Sequence, residues 1–73
     1  MNFLKLTELN LTLQGNVVEK TIYVNPQHIK EFHEVYQVNF KMDLTKIYWA
    51  IGGFNATNVK ETADEINHQL IAC

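Results

Sequence analysis

The residues whose types could do chemistry are three histidines, His28, His33 and His68, a single cysteine, Cys73, and the carboxylates Glu31 and Glu34 around His33. Imidazole is the side chain best suited to proton transfer and metal binding near neutral pH. A zinc-type site asks for His, Cys or carboxylate ligands at short fixed spacings, and none of the three histidines forms an HxH, HxxxH or HExxH arrangement. On a strand, Glu31 and His33 would share a face, which makes a weak divalent-ion or small-molecule site the most that this cluster could offer. Serine is absent and Cys73 has no evident base beside it, so nucleophilic catalysis has no starting point. The expectation is a protein that is not an enzyme, with no catalytic residue, no cofactor and no metal.

Gly52-Gly53 invites comparison with a phosphate cradle. An anion loop of that kind leads directly into a helix N-terminus, whereas here a strand-like segment follows, so turn chemistry accounts for the glycines. Tyr23, Tyr36, Tyr48 and Trp49 could stack on bases, but stacking surfaces for nucleic acid are paired with a basic groove. The chain has a net charge of −2, its six cationic residues are all lysines, and they are scattered. Phosphate backbones are bound chiefly through cations, so nucleic acid is a secondary reading. A lone cysteine cannot close an intramolecular disulfide, no apolar run reaches the ~20 residues of a membrane span, and the N-terminal residues do not read as a secretion signal. A cytoplasmic protein is the expectation.

The elements around these residues are those of one small domain covering residues 1–73. Leu4 and Leu6 alternate in one register and Leu9, Leu11 and Leu13 in the other, which predicts a bulge or break near Thr7. A turn with Gly15-Asn16 at its centre would set Leu13 opposite Val18, Leu11 opposite Lys20 and Leu9 opposite Ile22. Asn25-Pro26 ends that hairpin. The stretch Ile29 to Val35 reads two ways: helical spacing with an Asn25 cap favours two or three turns of helix, while a short turn through Gln27-His28 would lead into a strand. Tyr36, Val38, Phe40, Met42 and Leu44 alternate strictly and predict one half-buried strand.

The following hairpin, with Gly52-Gly53 as a two-residue loop, sets Ile51 opposite Phe54 and Trp49 opposite Ala56. Its wetter face would carry Lys46, Tyr48, Asn55, Thr57 and Val59. Thr62-Ala-Asp-Glu65 is a capping box that opens a helix whose Ala63, Ile66, Leu70 and Cys73 form one apolar stripe.

Several blocks in order, Phe3-Leu-Lys-Leu-Thr-Glu-Leu9, Ile22-Tyr-Val-Asn-Pro-Gln-His-Ile29, Thr45-Lys-Ile47, Gly52-Gly53 and Val59-Lys-Glu-Thr62, resemble the small bacterial and prophage proteins related to the flagellar FlbD family. The resemblance implies a compact, mainly antiparallel sheet closed by a C-terminal helix and no assigned activity, and it favours a strand for Ile29 to Val35. The segment Asn10 to Thr21 and the length of Tyr36 to Asp43 depart from the family's pattern, and no residue here encodes a flagellar role.

Together these readings predict an α+β, mainly β fold: an antiparallel sheet of about four to five strands, curved or partly barrel-like, with one C-terminal helix packed on it. The functional class that such a sheet permits is a non-enzymatic protein-interaction module, a homo-oligomer formed through its edges or a binder of another protein. Tyr23, Lys46, Tyr48, Asn55 and Thr57 form the candidate interaction surface. The alternatives are a small β-protein associated with nucleic acid and a weak small-molecule or divalent-ion binder.

Overall fold

The computed structural model describes residues 3–50 and 56–72. Five strands, β1 (Leu4–Leu11), β2 (Val17–Val24), β3 (Ile29–Gln37), β4 (Met42–Trp49) and β5 (Ala56–Val59), precede a helix, α1 (Ala63–Ala72). They form one sheet in the order β2-β1-β5-β4-β3, and every neighbouring pair is antiparallel. The sheet ends at β2 and β3 and does not close into a barrel. The mainly β, α+β architecture expected from the sequence is present.

The helix covers one face. Leu4, Leu6, Val24, Ile47, Val59 and Ile66 form the buried core there, with Ile22, Ile29, Phe32, Trp49 and Leu70 packed around it. Each such aliphatic side chain contributes roughly 1.5–3 kcal/mol on burial. Thr62 opens α1 as the capping box requires: the Thr62 amide donates to Glu65 Oε1 (3.0 Å) and the Glu65 amide to Thr62 Oγ1 (3.1 Å). Ile66 and Leu70 of the expected stripe meet the core; Cys73 lies outside the described residues.

The first hairpin forms in another register than expected. Leu11 lies opposite Val17, not Lys20, and the pairing continues without interruption to Leu4 opposite Val24. Gly15 donates to the Thr12 carbonyl at 2.9 Å with φ 84, and the Thr12 amide donates to the Asn16 carbonyl at 2.9 Å. This is a three-residue loop in which a turn is followed by a left-handed residue, so Gly15 closes the turn and does not sit at the centre of a two-residue one. No bulge occurs near Thr7. The two leucine registers face opposite sides of one strand: Leu4 and Leu6 join the helix-side core opposite Val24 and Ile22, while Leu9 is buried on the other face and Leu13 projects from the turn fully exposed.

Ile29 begins a strand. Asn25 does act as a cap, its side chain accepting from the Gln27 amide at 2.9 Å, but the helical start it supports is a single 3₁₀ turn, Pro26–His28. β3 then pairs with β4 from Ile29 opposite Trp49 to Gln37 opposite Met42, with a bulge between Ile29 and Glu31. The strict alternation from Tyr36 to Leu44 is therefore not one strand. Residues 38–41 turn the chain, with the Lys41 amide donating to the Gln37 carbonyl at 2.8 Å and Lys41 held at φ 58. Alternation passed through the turn because no Gly or Pro marks it.

The pairing of β4 with β5 is displaced by one position from the expected register. Tyr48 lies opposite Ala56, the place that a two-residue Gly52-Gly53 loop assigns to Trp49. The Gly pair and the expected Ile51–Phe54 pairing fall in residues 51–55, outside the described residues. Burial selects the register: it sets Val59 opposite Thr45 on the face of Ile47, and both Val59 and Ile47 are fully buried there. Thr57, opposite Ile47, lies on that same face.

Candidate functional site

The face away from α1 carries the side chains with functional potential. β4 presents Leu44, Lys46 and Tyr48 there by alternation, and β3 presents Glu31, His33 and Val35 opposite Tyr48, Lys46 and Leu44. The His33 and Tyr48 rings stack at 5.3 Å between centroids and 26° between planes. Lys46 Nζ lies 5.7 Å from the Tyr48 centroid, within reach of a cation–π attraction. Asn58, opposite Lys46, accepts from Gln37 Nε2 at 3.2 Å. The result is a small polar and aromatic cluster held across three strands.

Of the five residues expected to form one interaction surface, the structure brings Lys46 and Tyr48 together. Tyr23 also faces away from the helix, on the outermost strand β2 opposite Lys5, and is 67% exposed. Thr57 lies on the helix-covered face, where its Oγ1 accepts from Trp49 Nε1 at 3.0 Å, so it belongs with the core and not with Tyr48. Asn55 is outside the described residues.

Glu31 and His33 do share a face, as strand geometry requires, but Glu34 falls on the other one. Among the described residues no group of three His, Cys, Asp or Glu side chains is placed to hold a metal ion. His68 lines a shallow depression with Asp64, Glu65 and Gln69. Two of those side chains are already committed, Glu65 to the helix cap and Gln69 to β1. No helix among the described residues is long and apolar enough to cross a membrane.

The strand edges are treated unequally. β1 pairs with β5 only around Glu8 opposite Val59, with the Lys60 amide donating to the Thr7 carbonyl at 2.9 Å. Beyond that point side chains replace the missing strand. Glu61 accepts from the Thr7 amide at 2.7 Å and from Thr7 Oγ1 at 2.9 Å. Gln69 accepts from the Lys5 amide and donates to the Lys5 carbonyl, both at 3.0 Å, as a backbone peptide would. Thr45, buried in the middle of the sheet, donates to the Glu61 carbonyl at 2.7 Å and fixes that segment from below.

The outer edges have no such cover. Among the described residues no side chain or loop hydrogen-bonds the outer backbone groups of β2 or β3. The roles of Glu61 and Gln69 escape sequence reasoning. The one available signal is that Gln69 directly precedes Leu70 and follows Ile66 by three residues, which puts it at the margin of the buried stripe.

A comparison of the chain with protein-family models, curated proteins and solved structures finds no match.

Proposed function

We propose that this chain is a non-enzymatic protein-interaction module that works by strand addition at its sheet edges, first of all with copies of itself. The observation that carries this reading is the contrast between edges. The inner edge of β1 is capped group by group by Glu61 and Gln69, while the outer backbones of β2 and β3 stay unpartnered among the described residues. An uncapped strand edge is a template for another strand. The reading includes a cytoplasmic setting and a bacterial or phage origin near the FlbD-related proteins, on the strength of the residue blocks quoted above. Light scattering across a concentration series tests it: growth in mass with concentration is expected, and a monomer at ~100 µM, a concentration at which a micromolar complex is saturated, sinks it.

The Lys46, Tyr48 and His33 cluster favours one rival, a small β-protein associated with nucleic acid. Binding of that kind is strongest at low salt, so the fluorescence anisotropy of a dye-labelled single-stranded oligonucleotide, titrated with the chain, decides it. A salt-sensitive change supports the rival, and no change at low salt removes it.

A further inference from the structure

The two open edges differ in what they would present to a copy of themselves. Two identical edge strands that pair antiparallel about a two-fold axis normal to the sheet keep each residue on its own face. The register must then be centred on one residue standing opposite its counterpart. On β2 this arrangement works against association. Centring on Glu19 or Lys20 sets like charges against each other, and centring on Thr21 puts neither charge opposite an opposite one. Glu19 is in any case engaged by Lys60 of its own chain at 3.5 Å.

β3 behaves differently. Centring on Phe32 sets Glu31 opposite His33 of the second copy and brings Lys30, the extra residue of the bulge, to the end of the register beside Glu34 of the second copy, and symmetry repeats both contacts. Lys30-Glu31-Phe32-His33-Glu34 is thus self-complementary when read in opposite directions. We propose that β3 is the edge through which two copies of this chain join, in the register centred on Phe32, making one continuous sheet with both helices on the same side. This rests on the reading that the module self-associates, and it names the partner and the register.

Three features support that choice. Lys30, Glu31, His33 and Glu34 are exposed, so they are free to reach across a new interface. His33 faces Lys46 and stacks on Tyr48 within its own chain, which holds the imidazole in place while an N–H remains available to the incoming Glu31 carboxylate. A lysine and a bulge at the start of an edge strand ordinarily discourage pairing with other chains. Here the lysine is neutralised only by a strand with a carboxylate at the matching place, so the same residues that repel an unrelated strand select this one.

The test is charge reversal and exchange, read by sedimentation equilibrium at low salt on the full chain, with circular dichroism to verify folding. K30E and E34K each create two like-charge contacts and should weaken the dimer about tenfold. The exchanged double variant K30E/E34K restores both pairs and should regain wild-type affinity. An equimolar mixture of the two single variants should form a heterodimer that neither forms alone. A wild-type dimer insensitive to either change, or not restored by the exchange, overturns the β3 register and leaves self-association standing. A wild-type chain that stays monomeric overturns both.

Discussion

The two hairpins flank the same short strand and are attached to it in different ways. β3–β4 is joined to β5 by a ladder running from Thr45 opposite Val59 to Tyr48 opposite Ala56. β1–β2 meets β5 only around Glu8 and Val59, and is then held by the side chains of Glu61 and Gln69 and by the leucines it sends into the core. A backbone ladder depends little on residue type, whereas a side-chain surrogate depends on one carboxylate and one amide. The β1–β2 attachment is accordingly the one that single substitutions can loosen.

The largest expected effects are common to both hairpins. Leu6→Ala on β1 and Ile47→Ala on β4 each empty a fully buried site and should each cost roughly 2–5 kcal/mol in urea unfolding, because both side chains belong to one core. If only one is that costly, the core is not shared and the comparison fails. Glu61→Ala comes next, at about 1–3 kcal/mol, since it leaves the Thr7 amide without its acceptor. Amide hydrogen exchange should then quicken in β1 and β2 while β3 and β4 stay protected; equal loss of protection in both hairpins would show the attachments to be equivalent.

The smallest effects concern the two turns and have opposite signs. Gly15→Ala should lower stability by about 1 kcal/mol, because Gly15 has φ +84 and the added methyl group meets open space, so the cost is conformational alone. Lys41→Gly should raise stability by about 0.5–1 kcal/mol, because Lys41 occupies the left-handed region that glycine enters freely. Thermal unfolding of both variants checks the pair of signs.

These turns also mark where sequence reasoning holds and where it stops. The capping box at Thr62 and Glu65 was legible because both of its hydrogen bonds run between residues three apart. The first hairpin was legible from Gly15, but a glycine signals that a turn exists without saying how many residues it takes. Its register follows instead from which leucines α1 covers, which is a matter of tertiary burial. The second turn carried no local mark: Val38, Asn39, Phe40 and Lys41 continue the apolar alternation, and the backbone reverses regardless with Lys41 in an uncommon conformation.

For the candidate surface, the common face of Lys46 and Tyr48 is legible because alternation along one strand is local. Thr57 was misplaced because its facing depends on a register decided by the burial of Val59. Glu61 and Gln69 were invisible, since each is paired with a residue more than fifty positions away.

The position of β5 has a bearing on how the chain assembles. It is the last strand in sequence and the middle one in space, so both hairpins can form from neighbouring residues before the element that unites them is in place. Until residues 56–59 arrive, β1 and β4 each have a bare inner edge, and the two ribbons have no ladder between them. Among the described residues, the junction of β5 with β1 is the one pairing in the sheet between strands far apart in sequence, and contacts of that kind slow folding. A chain interrupted before Ala56 would therefore expose more strand edge than the finished protein does.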